Sequence, residues 1–257
     1  MTPALDLIGL AKSYGALRAV IDVGFAVPEG SITALIGPNG AGKTTLFNLI
    51  TNLDAPSAGE ARFFGQPLAG MKPVAIAALG LIRTFQTARV FPGMTARENV
   101  LTGAHLDVRQ GAAQQMLWLG GARREERRLT AKADSLLALA RLDSFADMPV
   151  TELPMGGQKL IEVLRALMAR PRMLLLDEPA AGLNDQETAE LAALLRAVRD
   201  AGITIMVIEH NMSLVMGIAD DVIVLDAGSV IAQGPPAAIR NDRRVIEAYV
   251  GAEPDRA

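Results

Sequence analysis

The chain has 257 residues, 50% hydrophobic and 21% charged, a composition typical of a globular protein and contrary to intrinsic disorder. Its net charge of −3 gives no overall attraction to nucleic acid, and the absence of cysteine excludes disulfides and thiolate metal sites while fitting a reducing compartment. The first ten residues lack a secretory signal, and no apolar run reaches about 18 residues, so we expect no membrane span.

Apolar segments bounded by turn residues predict the strands of the chain. Two strands with mixed faces come first, Leu5 to Leu10 and Ala19 to Val27. A buried strand follows at Ile32 to Ile36, and the segment Thr44 to Thr51 has the pattern of a helix. Later buried strands, separated by helical patterns, are predicted at Met173 to Leu176, Ile203 to Ile208 and Val222 to Leu225. This alternation indicates a parallel α/β sheet.

Helical patterns replace strand signals between about Ala88 and Gln158, including Leu129 to Leu142. We therefore predict a single domain over residues 1–257, with an α/β core at 1–87 and 159–257 and an inserted helical subdomain at 88–158. Near the C-terminus, Asp226-Ala227-Gly228-Ser229 predicts a hairpin turn, and a final helix is expected near Arg243 to Val250.

A glycine-rich segment lies directly between the strand Ile32 to Ile36 and the helix that follows it. It reads Gly37, Pro38, Asn39, Gly40, Ala41, Gly42, Lys43, Thr44, Thr45. Glycine allows successive backbone N–H groups to turn toward a polyphosphate, and the helix directs its positive end at the same anion. Lys43 is placed to reach the β- and γ-phosphates, and the Thr44 hydroxyl to ligate magnesium. The segment predicts a nucleoside triphosphate site rather than a plain glycine-rich turn.

Two carboxylates end a buried strand further along the chain. Asp177 and Glu178 directly follow Leu174 to Leu176 and so lie at the C-terminal edge of the predicted sheet, where open α/β sheets bind ligands. Asp177 suits a magnesium-side role, and Glu178 can act as the general base on a water aimed at the γ-phosphate. Such a strand end is a weak signal alone, but it becomes strong beside the phosphate loop.

The order of these motifs resembles that of the ATP-binding subunits of ABC transporters over essentially the whole chain. The resemblance implies a P-loop NTPase (RecA-like) α/β core with an antiparallel β-subdomain and an inserted helical subdomain. Gly37 to Thr44 correspond to Walker A, and Leu174 to Glu178 to Walker B. The segment Arg83-Thr84-Phe85-Gln86 resembles the Q-loop, which implies that Gln86 contacts magnesium and couples the site to membrane subunits.

Two further residues match positions of this family. His210 closes the strand Ile203 to Ile208 as the family's switch histidine does, where an imidazole can bond the γ-phosphate region and orient the attacking water. His105 lacks such support and is interpreted as structural. Tyr14 matches the aromatic residue that stacks on adenine, with packing in the core as the alternative.

The signature segment departs from the family pattern. These ATPases usually carry Leu-Ser-Gly-Gly-Gln, which binds the γ-phosphate held by the opposite subunit. The corresponding residues are Leu153, Pro154, Met155, Gly156, Gly157 and Gln158. The spacing to Arg165 and Asp177 favours a register with Pro154 in place of serine, and a shifted register places Met155 there. Serine is absent in both registers, and proline offers neither a hydroxyl nor an N–H.

Longer strings resemble the branched-chain amino acid type of importer ATPase. These strings are Glu178 to Asn184, Phe91 to Thr95 with Glu98 to Leu101, Glu209 to Met212 with Val215-Met216, and Val245 to Gly251. Ala181, Gly182, Leu183 and Asn184 correspond to the D-loop, with asparagine where many cassettes have aspartate. The strings indicate a subfamily and leave the cargo open.

The resemblance implies ATP and Mg²⁺ as cofactors, with Thr44, Gln86 and, through water, Asp177 on the metal. It implies Lys43, Gln86, Glu178 and His210 as the catalytic residues. We expect a cytoplasmic subunit, peripheral on the inner face of the cell membrane, that energises an importer of branched-chain or other amino acids or similar small solutes.

The implied partners are a second ABC ATPase in a heterodimer, two membrane permease subunits and an external solute-binding protein, with no nucleic acid. One alternative is the ATPase of a lipid or lipopolysaccharide exporter. A second is a soluble ABC ATPase acting on DNA or ribosomes, which the single phosphate loop and the absence of a heptad run disfavour.

Overall fold

The computed structural model describes residues 2–84, 90–106 and 120–250. Its strands are β1 Leu5–Tyr14, β2 Leu17–Val27, β3 Ile32–Ile36, β4 Ala58–Phe63, β5 Gln66–Pro67, β6 Leu81–Arg83, β7 Met173–Asp177, β8 Thr204–Ile208, β9 Asp221–Asp226 and β10 Ser229–Gly234. Its helices are α1 Lys43–Ile50, α2 Pro73–Ala78, α3 Ala96–Leu101, α4 Gly120–Leu139, α5 Met155–Met168, α6 Asp185–Asp200, α7 Met212–Ile218, α8 Pro236–Ile239 and α9 Arg243–Val250.

These elements form two compact units. The first contains Met1–Arg83, Arg172–Ala181 and Leu195–Ala257, and the second contains Thr84–Pro171 and Gly182–Leu194. The second unit thus extends through all of α5, whereas the sequence places a boundary after Gln158, and that boundary stays a prediction.

The first unit contains two sheets. A six-stranded sheet has the order β10-β9-β3-β8-β7-β6, in which the pairs from β9 to β6 are parallel and β10 pairs with β9 in antiparallel orientation. A four-stranded antiparallel sheet has the order β2-β1-β4-β5. Every residue of β3, β7 and β8 is buried, as expected for parallel strands covered on both faces.

One hydrophobic core joins both sheets to α1 within the first unit. It includes Leu5 and Val20 of the antiparallel sheet, Leu46 and Phe47 of α1, and Leu175 of the parallel sheet. The phosphate loop and the ends of the parallel strands are therefore held by a packed interior, because burial of this apolar surface is the main stabilising term.

The second unit is helical. Its α3 begins with a capping box in which the Thr95 hydroxyl accepts from the Glu98 N–H and the Glu98 carboxylate accepts from the Thr95 N–H. Buried apolar residues line α4 and α5, including Leu137 and Leu164, which are both 0% exposed. Its described residues also include 3₁₀ turns at Thr102–Leu106, Asp143–Phe145 and Val150–Glu152.

The structure contains the predicted parallel sheet and the predicted hairpin, which joins β9 to β10. The strands β4, β5 and β6 were not predicted. Two of them, β5 and β6, span only two and three residues and carry no periodic signal. No helix in the described part of the chain combines the length and apolar character needed to cross a bilayer.

Candidate functional site

The segment between β3 and α1 follows a path that requires glycine. A Cβ at Gly37 would lie 1.9 Å from the Leu225 carbonyl oxygen, and a Cβ at Gly42 would lie 2.4 Å from the Ala19 carbonyl oxygen. Gly42 also has φ +102° and directly precedes α1 as its N-cap. The loop therefore passes close to neighbouring backbone at both ends and leads into a helix N-terminus, where an anion is favoured.

Lys43 is buried against this loop, with 6% of its surface exposed. Its Nζ donates to the Gly37 carbonyl at 2.7 Å and to the Pro38 carbonyl at 2.9 Å. Burial lowers the pKa of Lys43 below its ordinary 10.5, while the carboxylates of Glu178 and Asp177 act in the opposite direction. The two carboxylates therefore favour the charged form of the Lys43 ammonium. The next residue, Thr44, is exposed.

Asp177 ends β7 as a buried carboxylate, with its side chain 3% exposed. Arg83, at the end of the neighbouring β6, donates from Nη2 to Asp177 Oδ2 at 3.0 Å and from Nη1 to Asn48 Oδ1 at 2.7 Å. Burial raises the pKa of the Asp177 carboxyl, and the Arg83 guanidinium opposes that rise. Among the described residues, nothing hydrogen-bonds the buried Oδ1, so this oxygen has acceptor capacity for a water or a cation.

Glu178 and His210 are in direct contact. Glu178 Oε1 lies 3.0 Å from His210 Nε2, and their side chains are 21% and 38% exposed. Glu178 has φ +49°, which is uncommon for a residue with a side chain. This backbone turn at the end of β7 separates the direction of Glu178 from that of Asp177. Two adjacent carboxylates thus occupy different environments: Asp177 is buried against Arg83, and Glu178 is partly exposed in contact with a histidine.

Tyr14 lies at the end of β1 and is 47% exposed, so it is not packed in the core. Its hydroxyl donates to Asp54 Oδ2, and the Lys12 Nζ lies 4.8 Å from the ring centroid. Lys12 also bonds Asp54 Oδ1 at 2.6 Å. The hydrogen bond to Asp54 raises the pKa of Tyr14. The hydrogen bond from Lys12 and, to a smaller extent, that from Tyr14 lower the pKa of Asp54. Asp54 and Lys12 therefore hold the ring in one orientation.

The signature segment lies at the start of α5 in the second unit. Pro154 is the N-cap and makes no side-chain capping bond, Leu153 is buried and Met155 is 58% exposed. The Gly156 N–H donates to Glu187 Oε1 at 3.1 Å, and Gln158 Nε2 donates to the Leu153 carbonyl at 2.9 Å. One of the amide groups at this helix start is thus already bonded to a carboxylate of the same chain.

The D-loop leads from the segment Arg172–Ala181 of the first unit into the segment Gly182–Leu194 of the second. Asn184 begins α6 with reciprocal bonds, since its Oδ1 accepts from the Glu187 N–H at 3.0 Å and Glu187 Oε2 accepts from the Asn184 N–H at 3.0 Å. Glu187 therefore joins the start of α6 to the signature segment within the second unit.

Some predicted positions cannot be placed. Gln86 lies outside the described residues, as does the side chain of His105. Sequence reasoning missed two charged side chains of the described site, the Arg83 guanidinium and the Glu209 carboxylate. Arg83 is the first residue of the Q-loop string, and its place at the end of the apolar pair Leu81-Ile82 marks it as a strand-end cation. Glu209 stands out in the sequence only as the neighbour of His210.

A lysine on a glycine-held loop after β3, with two carboxylates at the end of β7 in the same sheet, is the arrangement of phosphate-loop nucleotide-binding proteins. The chain belongs, more narrowly, to the ABC transporter family. Residues 20–181 match the model of that family, and residues 229–255 match the model described as branched-chain amino acid ATP-binding cassette transporter.

Full-length relatives agree with this membership. The chain is 40% identical over 250 residues to the high-affinity branched-chain amino acid transport ATP-binding protein BraF of Pseudomonas aeruginosa, covering 97% of this chain and 98% of the relative. The identity and both coverages are the same for LivG of Escherichia coli, which is likewise described as a high-affinity branched-chain amino acid transport ATP-binding protein. A crystal structure of the ADP conformation of an ABC transporter cassette matches with TM-score 0.85 and 30% identity, covering 98% of this chain and all of that chain.

These findings confirm the predicted family and fold class. The chain is an ATP-binding subunit of an ABC transporter of the branched-chain amino acid type, and its class of activity is ATP hydrolysis coupled to transport.

Proposed function

We propose that this chain hydrolyses ATP to energise an importer for branched-chain or other amino acids or similar small solutes. The observation that carries the proposal is the 3.0 Å contact between Glu178 Oε1 and His210 Nε2, in a chain whose Lys43 is close enough for Glu178 to affect its pKa. A carboxylate and an imidazole in contact are suited to holding one water and taking its proton. The names of the full-length relatives support the amino acid importer.

Each residue has a defined part in this proposal. Glu178 accepts the proton of the attacking water, and His210 orients that water and bonds the γ-phosphate region. The Lys43 ammonium leaves the carbonyls of Gly37 and Pro38 for the β- and γ-phosphates, since an anion is a stronger partner for it than a neutral carbonyl. The N–H groups of the loop from Gly37 to Thr45, Pro38 excepted, bind the phosphates, and Tyr14 stacks on adenine.

The residues present fit a magnesium ion. The buried Asp177 Oδ1 has no hydrogen-bond partner among the described residues, and Thr44 is exposed at the start of α1. Mg²⁺ usually keeps several waters and takes one or two protein oxygens beside the phosphates, so it does not need a cage of carboxylates. Thr44 directly, Asp177 through water and, by resemblance, Gln86 would hold it. When bound, it supplies positive charge to the phosphate oxygens.

The proposal also covers the assembly. We place the chain in a head-to-tail heterodimer with a related ATPase, on the cytoplasmic face of two permease subunits that receive solute from an external binding protein. Leu153 to Gln158 of this chain would face the ATP held by the partner ATPase. Purification of the complex through a tag on this chain, followed by identification of the co-purifying subunits, tests this assembly, and recovery of nucleic acid or ribosomes instead would contradict it.

The substitution Glu178→Gln tests the mechanism in the assembled transporter. We expect it to lower ATP turnover at this chain's Walker site by about 100-fold or more, the contribution of a general base, while ATP binding is retained. Glu190→Gln, at an exposed residue of α6, is the matched control and should leave turnover unchanged. Turnover in Glu178→Gln equal to that of the control would refute the assigned mechanism.

A further inference from the structure

Glu209 is a buried carboxylate that joins two loops of the first unit. Only 2% of the surface of Glu209 is exposed. Oε1 accepts the Ala180 N–H at 2.7 Å, and Oε2 accepts the N–H groups of His210 at 3.0 Å and Asn211 at 3.1 Å. Both oxygens are therefore used, and all three donors are backbone amides, which give charge-assisted bonds stronger than those between neutral groups.

The two loops are those that carry Glu178 and His210. Ala180 lies two residues after Glu178, and Glu209 directly precedes His210. The register of β7 with β8 ends where Asp177 faces Ile208. Beyond that pair, the Glu178 N–H donates to the Ile208 carbonyl at 2.9 Å, and the Glu209 carboxylate makes the next connection. The side-chain contact between Glu178 and His210 depends on this short connected segment.

The backbone at Glu178 increases the need for such a connection. A φ of +49° costs energy for a residue with a Cβ, and such a conformation persists only where its surroundings hold it. The Ala181 N–H closes a turn onto the Glu178 carbonyl at 3.1 Å, and the amide of the intervening Ala180 is held by Glu209. Glu209 thereby ties the turn that aims Glu178 to the loop that carries His210.

We propose that Glu209 is a positioning residue for ATP hydrolysis, which holds Glu178 and His210 at the separation their joint action requires. This inference rests on the proposed function. The simpler alternative is that Glu209 only stabilises the fold. The two differ in outcome, because a positioning role affects the chemical step whereas a stabilising role affects only the amount of folded protein.

Glu209→Gln in the assembled transporter distinguishes these roles. Glutamine keeps the size of the side chain, but its Nε2 is a donor and cannot accept from a backbone amide, so one of the two loops loses its bond. We expect kcat to fall roughly 100-fold, as for a misplacement of about 1 Å, with KM for ATP within about twofold because Lys43 and the phosphate loop are untouched.

The matched control is Glu162→Gln, because Glu162 is also a buried carboxylate, 6% exposed, and lies in α5 of the second unit. It should lower thermal stability without the loss of kcat. Equal kcat for the two variants would overturn the inference. If Glu209→Gln does not assemble, Glu209→Asp replaces it under the same criterion, since it keeps both oxygens on a side chain one methylene too short to reach both loops.

A double-mutant cycle with His210→Ala gives a readout that a purely stabilising residue would not move. If Glu209 acts through the Glu178–His210 contact, Glu209→Gln should lower the single-turnover rate by a factor at least about fivefold smaller in the His210→Ala background than in the unmutated protein. Additive losses would overturn the inference. Full turnover in Glu178→Gln would refute the proposed mechanism itself, so that failure is distinguishable from failure of the Glu209 inference.

Discussion

At the residue scale, the two carboxylates after β7 differ because their surroundings differ. Asp177 is buried against Arg83, and its pKa is raised by burial. Glu178 has a positive φ, and its side chain contacts His210. In the proposed mechanism, a one-residue step along the chain thus separates the metal-side group from the general base. Lys43 responds to both, since each favours its charged form against the effect of burial.

The pH dependence of catalysis should report on Lys43. Burial lowers the pKa of Lys43 below 10.5, and the ammonium is the form that binds phosphate, so kcat/KM for ATP should fall as pH rises through that lowered pKa. We would measure kcat/KM from about pH 7 to 10. The variant Lys43→Arg, which stays charged over this range, should be less active and show a flat profile. The same alkaline fall in Lys43→Arg would assign the titration to another group.

At the element scale, the start of α5 has reduced donor capacity for an anion. Its N-cap is Pro154, which has no donor, and the Gly156 N–H is bonded to Glu187. A helix N-terminus still favours negative charge, but here a carboxylate of α6 already supplies it. In the proposed dimer, the partner's ATP would therefore meet a signature segment with reduced capacity.

Restoring the missing serine should change this element. Pro154→Ser adds a hydroxyl and an N–H at the N-cap and should stabilise α5 by about 1 kcal/mol. In a complex whose own Walker site is silenced by Glu178→Gln, we expect turnover at the partner's Walker site to rise roughly 10- to 100-fold, the effect of gaining one donor to the transition state. Pro149→Ser, at the N-cap of the 3₁₀ turn Val150–Glu152, is the control. Equal turnover for both serine variants would contradict the assigned register.

At the scale of the whole molecule, the motifs are divided between the two compact units. The phosphate loop, Asp177, Glu178 and His210 belong to the first unit, and Leu153 to Gln158 belong to the second. In a head-to-tail dimer each chain would give its Walker motifs to one composite site and its signature segment to the other. The departure at Pro154 would then affect only one of the two sites.

The two composite sites should therefore be unequal. We expect the site built from this chain's Walker motifs and the partner's signature to carry most of the turnover. Glu178→Gln should accordingly remove at least about tenfold more activity than the equivalent substitution in the partner ATPase. Single-turnover and steady-state ATPase rates of the two complexes would measure this difference, and equal losses would exclude the asymmetry.

Sequence patterns were sufficient for the parallel sheet and the phosphate loop because both depend on local chemistry. The strands β3, β7 and β8 are short apolar runs, and the loop needs glycine where its backbone passes close to Ala19 and Leu225. Sequence could not supply β6, whose three residues carry no periodicity. For the same reason it could not pair Arg83 with Asp177, since that ion pair exists only because β6 lies beside β7.

The sequence by itself determined the nucleotide-binding class, the subfamily and the absence of the signature serine, because each is written in the identity and spacing of neighbouring residues. The tertiary structure decided which side chains meet. Glu178 contacts His210, 32 positions away, because β7 and β8 are adjacent, and Glu209 bonds Ala180 for the same reason. Contacts between residues distant in the chain depend on strand order and on a turn such as that at Glu178, and neither is encoded in a local pattern.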